Sequence, residues 1–235
     1  MTDFFRFPHT PHIAWLGESA ARDDKVLSPA EMAELLDGPV VVEEKLDGAN
    51  LGFSIGPHGG MQAQNRGAYL HLPCTGQFAH LDRWLFANED RLFDNLGEHL
   101  VVFGEWCAAR HSLDYASLPD WWLMFDVYDK HMQRFWSTRR RDVLAKKLKL
   151  PTVPCLFRGQ ISFNRLKELM LNQHSHFREG VLEGVVIRRE DDDWLLARGK
   201  LVRPDFLQSI EAHWRRRSIE WNHLSTGLLP PPMQR

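Results

Sequence analysis

Short apolar runs that each break off at charged or glycine-containing residues constrain this chain most strongly. Val40-Val41-Val42 runs into Glu43-Glu44-Lys45-Leu46-Asp47-Gly48. Three β-branched residues favour a pleated strand, and the Asp-Gly step ends it in a turn. A lysine and several carboxylates are thereby gathered at a strand end. Similar runs predict strands over 51–55, 61–66, 100–108, 121–128, 152–157, 184–189 and 194–202. Helical spacing marks about 77–96, 138–149, 162–173 and 205–221. Ser28-Pro29-Ala30-Glu31, followed by Leu35, Leu36 and Gly38, reads as a capped short helix. Short turns at Gly56-Pro57-His58-Gly59-Gly60 and Asp191-Asp192-Asp193 favour antiparallel pairing. The expected class is α+β, with no internal repeat, no long linker and a frayed tail at Pro230-Pro231-Pro232.

The 235 residues are 43% hydrophobic and include nine tryptophans, enough for one large domain, alone or with a small appendage. The formal net charge is only -2, so a nucleic-acid surface has to come from local clusters. Arg139, Arg140, Arg141, Lys146, Lys147 and Lys149 form one such cluster. Arg215, Arg216 and Arg217, beside Trp214 and Trp221, form another. Each reads equally well as a solvated helix face. Cys74, Cys107 and Cys155 lack paired spacing, which argues against a disulfide framework or a cysteine zinc site. Among twelve histidines, His9 with His12 and His174 with His176 make only isolated pairs. With no apolar leader core and no run near the roughly 18 apolar residues of a span, the expectation is a cytoplasmic protein without membrane contact.

Lys45-Leu46-Asp47-Gly48 fits the Lys-x-Asp-Gly signature of enzymes that carry a nucleotide on a lysine, although an exposed Lys-Asp turn would also produce it. Its weight comes from the residues downstream of it, in order: Arg66, Phe103-Gly104-Glu105-Trp106, Phe125-Asp126-Val127-Tyr128, Glu183-Gly184-Val185-Val186 and Lys200. Each residue type suits a task. A lysine amine is nucleophilic only when neutral, which is rare at pH 7 for a free pKa near ~10.4, so nearby cations, Lys200 and a phosphate-bound Mg2+, should depress it. Glu105, after a glycine that lets a ligand approach, can accept hydrogen bonds from ribose hydroxyls. Glu183 precedes a β-branched run and offers hard oxygen to a divalent cation. Phe125 lies in the apolar run 121–128, where a core position is the ordinary reading.

These motifs, over about 40–206, resemble the ATP-dependent RNA ligases, especially the RNA ligase 2-like family. Asn50, five residues after Lys45, fits its nucleophile motif, and Phe7-Pro8-His9-Thr10-Pro11-His12 is similar to the start of some members. The resemblance implies an ATP-grasp-like nucleotidyltransferase domain of antiparallel sheets flanked by helices, over 1–206. A short helical extension would occupy 207–235, too short for an OB-fold. It implies Lys45 as nucleophile and Lys200 as a catalytic cation. Glu44, Asp47, Asn50, Arg66, Glu105, Phe125, Glu183, Arg188 and Lys200 would line the ATP site, with Glu183 holding Mg2+ or, in its place, Mn2+. The implied substrate is RNA with 5′-phosphate and 3′-hydroxyl ends in RNA repair, with an accessory end-processing protein as a further partner. ATP is expected over NAD, since little chain precedes Val40 to recognise nicotinamide. The family's Lys-x-Lys ending is replaced by Arg198-Gly199-Lys200-Leu201-Val202-Arg203, so either Arg198 or Arg203 could be the second cation. A DNA ligase, an mRNA-capping guanylyltransferase and a non-catalytic nucleotide-binding interaction module remain the alternatives.

Overall fold

The computed structural model describes residues 4–17, 25–209 and 218–225. It is α+β, with two antiparallel sheets and helices on their outer faces. The first helix, α1 (Pro29–Leu36), opens with the full capping box of Ser28 and Glu31 and buries Leu35. Strands β1 (Pro39–Lys45), β2 (Ala49–Ile55) and β3 (Met61–Gln64) follow, then a 3-10 turn (Gly76–Phe78) and α2 (Leu81–Asn95). Next come β4 (Leu100–Trp106), β5 (Trp122–Asp129), the two-residue β6 (Arg134–Phe135) and α3 (Thr138–Leu148). The described chain continues through β7 (Cys155–Gln160), α4 (Phe163–Asn172), β8 (Gly184–Glu190), β9 (Leu195–Val202) and α5 (Pro204–Ser209).

One sheet has the order β7-β1-β8-β9 and the other β3-β2-β4-β5-β6. Both predicted turns close hairpins, β2 with β3 and β8 with β9. Strand alternation decides which residues meet which layer. In the first sheet Val40, Val42, Val185, Ile187 and Leu201 pack with Leu35 of α1 and with Leu166 and Met170 of α4. In the second, Leu51, Phe53, Val102, Trp106, Trp122 and Met124 pack with Trp84 of α2 and Leu144 of α3. The opposite faces of the two sheets border a common cleft.

The structure departs from the sequence-based expectations in two places. The strand expected at 152–157 begins at Cys155, because residues 151–153 pair with the other sheet first: Met124 donates to the Pro151 carbonyl and Val153 to the Met124 carbonyl. Pro154, which has no N–H to donate, separates the two pairings. The helix expected over 205–221 extends only over Pro204–Ser209 where described. Trp221 instead pairs in extended form with Ala109, and Leu224 with Leu118. Trp214 and Arg215, Arg216 and Arg217 lie outside the described residues. Among the described residues no helix is long and apolar enough to cross a membrane.

Candidate active site

A cavity of about 670 Å³ opens between the sheets, lined by Lys45, Asn50, Arg66, Glu105, Phe125, Arg188 and Lys200 among others. That size suits a small organic ligand. Lys45 stands at the end of β1, where alternation turns it to the same side as Glu43. Its Nζ donates to Glu183 Oε1 at 2.5 Å. Glu183 is buried beneath it rather than forming the cavity wall, and its Oε2 is buried without a partner.

Behind Lys45 the Asp47-Gly48 turn is bolted down. Asp47 Oδ2 accepts from the Ser112 and Leu113 amides at 2.7 and 2.8 Å, and the Asp47 amide donates to the Tyr115 hydroxyl. The Gly48 amide donates to Glu105 Oε1 at 3.0 Å. A Cβ at Gly48 would lie 2.5 Å from the Trp106 carbonyl oxygen, so only glycine lets the turn approach β4 this closely. Asp47 is thus a fastener of the turn in this structure.

The electrostatics run opposite to the expected cationic field. Burial would lower the Lys45 pKa, but Glu183, Glu105 and Asp47 together outweigh it and raise it. The lysine sits among carboxylates, and they favour its ammonium form. Burial likewise pushes Glu105 up to about 7, with Asp47 adding to the effect and Lys45 opposing it. Glu183 is raised by burial and by Asp47 and Glu105, against the pull of Lys45. Three carboxyl groups crowd one lysine, and a bound cation would favour their ionised forms. Among the described residues no three acidic, histidine or cysteine side chains form a metal cage. The donor set fits a hard divalent ion held by Glu183 and completed by phosphate and water oxygens, the usual habit of Mg2+.

Phe125 reaches the cavity because β5 carries a bulge there: Phe103 pairs with Asp126 and Gly104 with Met124, leaving Phe125 as the extra residue. Its ring meets Phe7 edge-on at 5.3 Å. Asn50 Oδ1 and Arg66 Nε are buried without partners, while Arg66 Nη1 lies 3.4 Å from His9 Nδ1. Such orphaned polar atoms are costly and suit a polar ligand. Lys200, on β9, pairs with Val186 and faces the cavity. The N-terminal segment runs along β9, with the Ile13 amide donating to the Lys200 carbonyl and the Lys200 amide to the Pro11 carbonyl. His9 and Thr10 thereby join the rim.

Glu44 and Arg188 also border the cavity, but their polar atoms are engaged with protein partners. Glu44 is buried, and its Oε2 accepts from the His176 amide and lies 3.0 Å from His176 Nδ1. Arg188 stands on β8, an interior strand, and is only 1% exposed. It pairs with Asp126 at 2.7 Å and Glu190 at 2.6 Å, and donates to the Phe125 and Trp136 carbonyls. Arg198 shares the cavity face with Lys200, bonds Asp126 and lies over the rings of Phe7 and Phe135. Arg203 points elsewhere, to Asp205 and the Leu171 carbonyl. Sequence reasoning missed the buried network of Glu43, Asp126, Arg141, Arg188 and Arg198. Arg141 was counted with a surface cluster, yet it is buried and pairs with Glu43 at 2.7 Å. Glu43 could have been found, since it is two residues before Lys45 on a strand and must share its face.

A family model described as RNA ligase matches residues 38–202. A comparison with curated protein sequences finds no match. Among solved structures, an arginine-to-alanine mutant of the Naegleria gruberi RNA ligase with ATP and Mn superposes at a TM-score of 0.62 and 17% identity, over 90% of this chain and 60% of that one. The same ligase with PPi gives 0.58 and 19% over 77% and 54%. A candidate ATP-dependent DNA ligase from Aquifex aeolicus gives 0.54 and 24% over 85% and 50%. The chain spans about half to three-fifths of the length of these proteins, and at such identities the likeness shows a shared fold.

Proposed function

The chain belongs to the RNA ligase family, and on that premise we propose that it seals RNA ends with ATP through a covalent adenylate on Lys45. The observation that carries this reading is one lysine at the mouth of a nucleotide-sized cavity, 2.5 Å from a buried glutamate whose second oxygen has no partner. In the first step Lys45 Nζ attacks the α-phosphorus of ATP. A nitrogen–phosphorus bond forms, the bridging bond to the β-phosphate breaks, and pyrophosphate leaves. In the second, an oxygen of the RNA 5′-phosphate displaces Lys45 from the adenylate. In the third, the 3′-hydroxyl oxygen attacks that 5′-phosphate, forming the phosphodiester and releasing AMP.

All three are phosphoryl transfers, in which positioning and charge matter most. The protein's task is to hold ATP with its α-phosphorus in line with Nζ. Phe125 offers a face for adenine, Glu105 and the orphaned Asn50 Oδ1 can accept ribose hydroxyls, and Arg66 and Lys200 can meet phosphate oxygens. Arg188 and Arg198, tied to Asp126, hold the cavity floor and add positive charge. A divalent ion bound at Glu183, Mg2+ or Mn2+, would neutralise that carboxylate and the phosphate oxygens. Such charge beside Glu183 would weaken the carboxylate's hold on the Lys45 ammonium, whose pKa Glu183 otherwise raises.

Incubation with Mg2+ and ATP radiolabelled on the α-phosphate, followed by denaturing electrophoresis, tests this reading. Label should stay with the protein, and ATP labelled on the γ-phosphate should leave none. An interaction module that only binds nucleotide would retain neither.

A further inference from the structure

We propose that Trp221, backed by His80 and Trp121, is a stacking platform for a base at the end of the RNA strand presented to Lys45; this rests on the ligase reading above. At 36% exposure Trp221 is the most exposed of the described tryptophans. Its ring centroid lies 4.1 Å from that of His80, the planes tilted by 58°, and His80 in turn lies nearly parallel to Trp121, 11° between planes and 6.0 Å apart. Burial, assisted by Arg83, lowers the His80 pKa. A neutral ring suits an aromatic stack.

The platform adjoins the cavity at the nucleophile's end. His80 follows Gln77 and Phe78, both of which line the cavity, and Trp221 pairs with Ala109, two residues before the rim residue His111. His111 Nε2 and Gln77 Oε1 are 2.8 Å apart across that rim. The buried Asn222 locks the arrangement: its Nδ2 donates to the Cys107 carbonyl and its Oδ1 accepts from the Tyr115 amide, both at 2.8 Å. The same 107–115 segment holds Asp47 through Ser112, Leu113 and Tyr115. One loop therefore fixes both the nucleophile's turn and the exposed indole, so a base stacked on Trp221 would be held in register with Lys45. Arg110, bonded to Glu220 next to Trp221, is exposed, and Arg83 is exposed near His80. Arg110 is paired with Glu220 in a surface contact that costs little to open. An apolar ring face flanked by cations matches a single strand, whose bases stack while its phosphates seek charge.

Fluorescence anisotropy with a labelled, 5′-phosphorylated RNA oligonucleotide, in the absence of ATP, tests the platform independently of catalysis. Stacking of one base is worth about 1–3 kcal/mol, so Trp221→Ala should weaken binding roughly 5- to 150-fold. Trp221→Phe should keep most of the affinity, and Trp221→Ala should still form the lysine adenylate from ATP at the normal rate. Arg83→Ala should reduce the salt dependence of binding by roughly one phosphate contact. RNA affinity within about twofold of the parent in Trp221→Ala overturns the proposal, as does equal loss of RNA binding and adenylate formation, which would mark a structural residue. If the parent forms no adenylate but binds RNA in a Trp221-dependent way, the ligase reading fails and the platform stands.

Discussion

Replacing Glu105 by glutamine should stabilise the ligand-free protein increasingly as pH rises from about 4.5 to about 7, and by a nearly constant amount above that. Burial, reinforced by Asp47, raises this carboxyl from an ordinary 4.5 to about 7. The folded state therefore holds the proton more tightly than the unfolded chain. Its contribution is fully present below about pH 4.5 and is lost as pH rises through about 7. At 1.36 kcal/mol per pH unit, the full penalty is roughly 3 kcal/mol, of which about 2 accrues between pH 5.5 and 8. Glutamine keeps an oxygen to accept from the Gly48 amide, now at 3.0 Å from Glu105 Oε1, and carries no charge. For a chain of this size about 1 kcal/mol moves Tm by roughly 2–4 °C. The advantage of Glu105→Gln over the parent in thermal unfolding should therefore grow by about 4–8 °C between pH 5.5 and 8. An advantage that stays constant with pH, or shrinks as pH rises, would refute the assignment of a charge-burial cost to this site.

Arg198→Ala should slow lysine adenylate formation at least tenfold, whereas Arg203→Ala should leave it within about threefold, because Arg198 faces the cavity and Arg203 is engaged with Asp205 and Leu171; single-turnover labelling compares them. Arg188→Met leaves the buried Glu190 carboxylate without its cation and Asp126 with Arg198 alone, and denaturant titration should show a loss of about 3–5 kcal/mol. When adenylylated enzyme is offered matched nicks, the one whose 3′-hydroxyl strand ends in ribonucleotides should be sealed faster, since the 2′-hydroxyl marks RNA. Faster sealing of the all-DNA nick would favour the DNA ligase alternative and leave the lysine chemistry intact.

Much of the fold could be read from local patterns. The Ser28 capping box, the β-branched run at Val40 and the turns at 56–60 and 191–193 are each determined by nearby residues. The cavity's lysine and its glutamates were legible because a strand end and a glycine impose their positions over a few residues. The features that escaped depend on contacts far apart in sequence. Arg141 and Arg188 look like surface cations until Glu43 and Asp126 are brought beside them from other strands. The bulge that frees Phe125 arises from a pairing between β4 and β5 that local pattern does not specify. The carboxylates around Lys45 are a long-range feature of the same kind: Glu105 and Glu183 come to it from other parts of the chain and raise its pKa in the ligand-free protein, while Arg66, Arg198 and Lys200 line the same cavity.

Whether Lys45 carries the nucleotide is tested most directly by locating the adenylate through peptide mapping. Protein incubated with ATP and Mg2+, then denatured and digested, should yield one adenylylated peptide with the modification on Lys45, and Lys45→Ala should yield none. An adenylate found on another residue, or one that persists in Lys45→Ala, would contradict the assignment.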